Sequence, residues 1–435
     1  MSVVLFLLVV VVMPAVTTVV AVDRFPSLST LDEYAHIDYL RRIEDGEVPR
    51  IGDKVLPETA RDVACRTIEG RRVSDCTLPE IPIEAIDAGG YSYEAQQPPL
   101  YYAITAVLRQ PISLVVNGFV NSARLTGMIW LSAGLGLLWW VLRRRMGTSA
   151  MATAVVCGVV GLAPTVMSQA AVVNNDAPAV LTGTLLLLGY DQLRTDDRPR
   201  TALLAALVAV VLVLVKPLAI LGVGAVTLAL LLGSWDRRDS LRRAAWLVTP
   251  AVASVVAYQG WQAVRDARST VPYAEVMDVL LGAKVTLTEF PFDSLGSHAP
   301  RFLLAYWSAD ASMFAPVYVT GVAACVGMIF VVTPSVMAAM GEGRARHMQH
   351  LQLGVLAVML VAPLLLITQS YFVVHKGGGA NARYALTLLP LTITGLVPLL
   401  ERTVLRWAAA ASVGILFTVT MIGIATYRIL PAVGG

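Results

Sequence analysis

The chain has 435 residues, 56% of them hydrophobic and 14% charged, with a mean hydropathy of +0.68 and a formal net charge of +3. A soluble domain carries roughly 25% charged residues, so the composition excludes a soluble globular protein, and no basic tract with interleaved aromatics points to nucleic acid. The apolar residues form continuous Leu-, Val- and Ala-rich blocks without two-residue alternation, which favours helices over a barrel.

In chain order the blocks fall near 2–22, 122–142, 148–167, 177–191, 201–217, 218–233, 245–262, 313–334, 351–371, 384–400 and 405–427. A bilayer span takes about 20 apolar residues. The expected fold class is therefore an all-α polytopic membrane protein of about eleven transmembrane helices. The first block lacks a basic n-region, so it reads as a retained helix rather than a removed signal peptide. Basic residues close every second connection: Arg143-Arg144-Arg145, then Arg194, Arg198 and Arg200, then Arg237, Arg238, Arg242 and Arg243, then Arg344, Arg346 and His347, then Arg402 and Arg406. By the positive-inside trend these connections are cytoplasmic, with the N-terminus inside and the C-terminus outside.

The chain then reads as one transmembrane domain over 1–435, with extracytoplasmic segments at 23–121 and 263–312. The first segment holds 16 acidic and 10 basic residues, the opposite of a cytoplasmic loop. Leu31, Ala35, Ile37 and Leu40 predict an amphipathic helix, with Ser29-Thr30 as N-cap candidates. Pro98-Pro99 opens another helix, expected to lie along the outer surface because a crossing there would invert every later loop. Arg301, Trp307 and Asp310 read as a surface helix in the second segment. Cys65 and Cys76 lie eleven apart in the first. In an extracytoplasmic loop a disulfide is expected, two free thiols being the alternative. The spacing does not suit zinc.

Five groups of residues have chemistry to offer. Asp32, Glu33 and His36 put two carboxylates and an imidazole into one short stretch, where a carboxylate can take a proton from an acceptor hydroxyl; a solvated helix cap is the alternative. Gln97, Tyr101 and Tyr102, beside the rigid Pro-Pro turn, suit sugar hydroxyls, though they could simply start a helix. Asn175 and Asp176 can be explained as caps of the following helix. His375, Lys376 and Arg383 flank Gly377-Gly378-Gly379 in a loop expected to face outward. They would make an anion site at a helix N-terminus, a flexible hairpin with interfacial anchors being the alternative, and their positive charge runs against the positive-inside trend. Lys216, at the outer end of a helix, is either functional or snorkels to the interface; Arg124 is ambiguous in the same way. Asp32 and Glu33 could hold a divalent cation, but two adjacent carboxylates are not a complete site. No metal or other cofactor is otherwise indicated.

These pieces resemble, in order, the C-type (GT-C) glycosyltransferase superfamily, and most closely bacterial relatives of the protein O-mannosyltransferase and aminoarabinose transferase group. The resemblance runs through Asp32-Glu33 with His36, Gly46-Glu47-Val48-Pro49, Gln97-Pro98-Pro99-Leu100-Tyr101-Tyr102, Ala123-Arg124-Leu125, Asn175-Asp176-Ala177, Lys216-Pro217 and Arg383-Tyr384. It implies an inverting hexosyl- or pentosyltransferase that takes sugar from a polyprenyl-phosphate donor. The acceptor would be a cell-envelope glycan, a lipid or a protein outside the cytoplasmic or inner membrane. Asp32 would act as general base, with Glu33 and His36 beside it. Lys216, His375, Lys376, Arg383 and Arg124 would hold the donor phosphate, and Gln97, Tyr101, Tyr102, Asn175 and Asp176 the sugar or acceptor. The chain differs from larger members in being short, with no soluble domain expected after the last helix, which would leave acceptor recognition to the outer loops. His36 is not shared by every branch. A transporter or flippase of a lipid-linked glycan, or a non-catalytic GT-C-like protein, would have a similar hydropathy profile.

Overall fold

The computed structural model describes residues 2–30, 32–196, 198–236, 241–281, 287, 289–303, 336, 346–374, 381–400 and 402–426. His375 and Lys376, Trp307 and Asp310, and the block at 313–334 lie outside these residues. Among the described residues the architecture is helical, with only isolated β-bridges. The helices are α1 (Ser2–Arg24), α2 (Glu33–Glu44), α3 (Pro57–Arg66), α4 (Leu100–Ser113), α5 (Phe119–Arg145), α6 (Ala150–Gly161), α7 (Pro164–Ala171) and α8 (Ala179–Thr195). They continue with α9 (Pro199–Val215), α10 (Ala219–Asp236), α11 (Leu241–Arg268), α12 (Tyr273–Leu281), α13 (Phe292–Leu303), α14 (Arg346–Val374), α15 (Arg383–Leu400) and α16 (Thr403–Thr426).

Five of these, α1, α5, α14, α15 and α16, are long and apolar enough to cross a membrane, and α6 with α7 makes a sixth, bent by 64°. The chain is a multi-pass membrane protein. The bend has a local cause: Pro164 disfavours helical backbone at the preceding residue, and Ala163 takes ψ 122°. The block at 148–167 is thus two helices where one was expected. The shorter apolar helices α9 and α10 meet at a tight turn, where Lys216 and Pro217 separate them.

Two cores result. The large one lies among the membrane helices, with α15 at its centre. Gly183 of α8 lets that helix press against α15, since a Cβ there would sit 2.3 Å from the Thr387 carbonyl oxygen. Gly127 of α5 does the same against α7, where a Cβ would sit 2.0 Å from the Ala170 carbonyl oxygen. The second core gathers Leu28, Tyr34, Ile37, Leu40, Val63 and Tyr93 from the first long segment onto Val120, Ala123 and Trp130 of α5 and onto Val173 and Val215. This small domain therefore sits directly on one end of the helix bundle. The Cys65–Cys76 disulfide, with Cα atoms 4.7 Å apart, closes its α3 region.

Candidate active site

The site forms where the small domain meets the helix ends. Asp32 precedes α2 in left-handed backbone, φ 63° and ψ 12°. Asp adopts this region more readily than most residues because its short polar side chain can bond locally. The α2 helix starts at Glu33, with Asp32 in the cap position instead of Ser29 or Thr30. The Asp32 carbonyl accepts the first helical bond, from Ala35 N–H at 3.0 Å. Its carboxylate does not cap the helix. Instead it accepts from the Tyr93 hydroxyl (2.8 Å) and from Arg383 Nη2 (2.6 Å).

Arg383 comes from the first turn of α15, whose start is capped by the Asn381 side chain accepting from Arg383 N–H at 3.3 Å. Its Nε lies 3.7 Å from Asp176 Oδ2. Asp176 Oδ1 in turn pairs with Lys216 Nζ at 2.6 Å, and Lys216 donates to Asn175 Oδ1 at 2.9 Å. Asp32, Arg383, Asp176 and Lys216 thus alternate in sign, from residues up to 351 positions apart in the chain. Each charge is compensated by its neighbour, which is what lets so many ionised groups sit in a desolvated place. Asp176, expected as a cap, has a different task, since α8 begins at Ala179 with no side-chain cap.

Glu33 and Arg124 stand apart from this row. Arg124 Nε and Nη2 each donate to the Glu33 carboxylate at 2.7 Å, with both side chains at most 2% exposed. The same carboxylate accepts from Ser29 N–H (2.8 Å) and Val173 N–H (3.0 Å), while Arg124 also donates to the Phe25 and Ser27 carbonyls. The pair staples α2 to α5 and to the chain after α7, and it leaves Glu33 no accessible oxygen. The carboxylates of Asp32 and Glu33 turn to different arginines, so they do not converge on one cation. Among the described residues, no group of three or more His, Cys, Asp and Glu could hold a metal ion.

A second, uncharged cluster lies beside Asp32. His36 Nδ1 and the Tyr102 hydroxyl share a 2.7 Å hydrogen bond, and Tyr102 stacks on Tyr39 with ring centroids 3.8 Å apart. His36 Nε2 is 3.9 Å from Glu94 Oε2. Burial lowers the His36 pKa to about 3, with Arg383 and Lys216 adding to the effect and Asp32 opposing it. Burial, reinforced by Asp32, raises that of Glu94 to about 8. Both are neutral at pH 7, so their contact is not an ion pair. Burial also works against ionisation of Asp32, but Arg383 and the Tyr93 hydroxyl outweigh it and hold the carboxyl below its ordinary value. A carboxylate and a carboxylic acid therefore stand side by side, the separation that marks acid and base assignments.

Tyr101 and Tyr102 are inside the packing, at 1% and 0% exposure, and do not present phenols to a cavity. Gln97 accepts from the Tyr39 hydroxyl through its backbone carbonyl at 3.0 Å. Tyr93 was not singled out by sequence, and Glu94 only opened the stretch read for its amides and phenols. They sit among 16 acidic residues and several tyrosines of one segment, and nothing in local spacing separates them from the rest.

No family model and no curated protein matches the chain. Thirteen chains in solved structures do, in fold, ArnT among them. ArnT from Cupriavidus metallidurans bound to undecaprenyl phosphate superposes with a TM-score of 0.51 at 16% identity, over 95% of this chain and 62% of that one. ArnT from the same organism in the apo state superposes with a TM-score of 0.52 at 16% identity, over 98% of this chain and 65% of that one. The chain thus spans less than two thirds of the length of either. The shared feature is the fold.

Proposed function

We propose that this chain, folded as ArnT is, is a GT-C glycosyltransferase that moves a sugar from a polyprenyl-phosphate donor to an acceptor on the extracytoplasmic side of the membrane. The observation that carries the reading is the Asp32–Arg383 pair at the end of the Asp176–Lys216 row, a base beside cations. The undecaprenyl phosphate bound to ArnT supports a lipid-phosphate donor. The basic connections support an orientation with the site outside and about eleven crossings in all.

In this mechanism Asp32 takes the acceptor hydroxyl proton as the acceptor oxygen attacks the anomeric carbon. The bond from that carbon to the phosphate oxygen breaks, configuration inverts, and polyprenyl phosphate leaves with the electron pair. Arg383 and Lys216 stabilise the charge developing on the phosphate. Donor binding also prepares the base. A phosphate that draws Arg383 away removes the main influence holding the Asp32 pKa down, and burial then raises it, which strengthens the base. Glu94, kept neutral, is a hydrogen-bond donor for the sugar or the acceptor. Glu33 and Arg124 position Asp32 rather than react, and His36, bonded to Tyr102, packs beside Glu94.

The test is to incubate the purified chain with a panel of radiolabelled polyprenyl-phosphate sugars, with and without envelope acceptors. Transfer or donor hydrolysis by the wild type, absent in Asp32→Asn, is expected. Turnover that survives Asp32→Asn removes the base, and no turnover with any donor removes the activity.

A further inference from the structure

At the far end of α5, about 30 Å along the helix from Arg124, α1 and α5 border a cavity of 620 Å³ that glycosyl transfer does not use. Val3 and Phe6 of α1 line one side, and Trp139, Trp140, Arg143 and Arg144 of α5 the other. Neither arginine is balanced by an acid. Arg143 donates to the Thr148 carbonyl, which occupies one of its N–H groups and cancels no charge. Arg144 is exposed and makes no hydrogen bond or ion pair among the described residues. No carboxylate lines the cavity. Asp191 and Asp196, at the same end of the bundle, are taken by Arg145, Arg194 and Arg198.

The walls are fixed. Phe6 and Trp139 meet edge to face with ring centroids 5.6 Å apart, which holds α1 against α5. Over Val141–Arg145 α5 winds as a π turn, an irregularity frequent at functional sites. Gly136 keeps the α5 wall low, since a Cβ there would meet only Val10 Cγ1, at 3.4 Å. Val3 is 70% and Trp140 44% exposed, so the cavity is open at its outer edge, on two helices long and apolar enough to cross a membrane. Beyond Val3, Leu7 and Leu8 continue the exposed apolar face of α1. We propose that this cavity binds the headgroup of one anionic phospholipid, with its phosphate on Arg143 and Arg144, its glycerol against Trp140 and an acyl chain along α1 past Val3.

Arginine presents paired N–H donors that match phosphate oxygens. Two unbalanced cations favour a lipid of net negative charge over a zwitterionic one, whose ammonium they repel. Tryptophan is enriched at the headgroup level of a bilayer, where this ligand would lie. The positive-inside trend accounts for basic residues at this end, but not for two of them sharing one cavity that holds no carboxylate. The exposed apolar face of α1 is what separates a lipid from a free phosphate, which would need only the arginines. The proposal is independent of the glycosyl-transfer reading.

The experiment is native mass spectrometry of the full chain in detergent, with dioleoyl-phosphatidylglycerol, dioleoyl-phosphatidylcholine and glycerol phosphate as separate probes. Phosphatidylglycerol is expected to be retained at least about tenfold better than phosphatidylcholine. Arg144→Gln, which breaks no hydrogen bond or ion pair, should lower that preference about fivefold. The double variant Arg143→Gln/Arg144→Gln should abolish it. Arg200→Gln removes one exposed charge at the same end but outside the cavity, and should leave the preference unchanged. Gly136→Leu, which keeps every charge and fills the cavity, should lower phosphatidylglycerol retention about tenfold. Equal retention of the two lipids overturns the proposal. Equal losses in Arg144→Gln and Arg200→Gln also overturn it, since they would reveal a diffuse surface charge. Displacement of the lipid by an equal concentration of glycerol phosphate does the same, because it would show a headgroup-only site. If the double variant or Gly136→Leu does not fold, Arg144→Gln decides alone: an unchanged preference refutes the lipid site.

Discussion

Asp32 is pulled two ways: burial favours its neutral form, and Arg383 its ionised form. Asn can occupy the same left-handed backbone, so Asp32→Asn removes the base and leaves the start of α2 in place, although its single amide oxygen replaces the two that accept from Tyr93 and Arg383. Its transfer rate should fall about 100-fold or more, and the melting temperature should fall as well, because Arg383 loses one of its acidic partners; a transfer rate that survives removes Asp32 from the reaction. Glu94 gives a separate prediction. Its folded pKa of about 8 lies above its ordinary value, so the neutral acid persists through pH 7. The unfolded chain loses this proton earlier, so the contribution of Glu94 to stability is full below about 4.5 and is lost as the pH rises toward about 8. If neutral Glu94 is what the reaction uses, kcat/KM has an alkaline limb near pH 8. Glu94→Gln, a permanent neutral mimic, then keeps most activity and loses that limb, whereas a limb unchanged in Glu94→Gln assigns it to another group. At this scale Asp32, Lys216 and Arg383 stood out in the sequence as charges with few neutral explanations, whereas Asp176 read as a helix cap. Tyr93 and Glu94 did not stand out, because their burial is decided by tertiary packing.

The same contrast appears in the elements. Glu33 adjoins Asp32 and carries the same group, so the sequence read the two as one catalytic pair. The helix start separates them: Asp32, in left-handed backbone, turns toward α15, while Glu33, the first residue of α2, turns into α5. Removing one partner from a buried pair leaves the other charge unpaired, at roughly 3–5 kcal/mol. Glu33→Gln and Arg124→Met should each lower the melting temperature in detergent and reduce the folded yield. The double variant should recover part of that loss, because it removes both charges. Equal melting temperatures for wild type and Glu33→Gln would return Glu33 to the reaction. Helix breaks were harder to read than helices. Hydropathy marks an apolar stretch but not the bend at Pro164, nor the mixed 3-10 and α winding of α15, where Pro390 and Pro398 interrupt regular bonding.

For the whole molecule, one end of the bundle carries the small domain, Asp32 and the Asp176–Lys216 pair, and the other carries Arg145, Arg194 and Arg346. This polarity was visible in the alternation of basic connections, since charge counts need no tertiary knowledge. Its absolute direction is the one proposed from the positive-inside trend. An acidic, disulfide-closed small domain belongs in an oxidising compartment, which agrees with an outward placement. Single cysteines test the direction, in a chain with Cys157 and Cys325 replaced by alanine and the Cys65–Cys76 bridge left intact. Glu80→Cys lies on the exposed surface of the small domain, and Thr195→Cys on the exposed end of α8. In intact cells a membrane-impermeant maleimide should label Glu80→Cys at once and Thr195→Cys only after permeabilisation. The reverse pattern would put Asp32 on the cytoplasmic face, where a base acting on an extracytoplasmic acceptor has no substrate, and the glycosyl-transfer reading would fail with it.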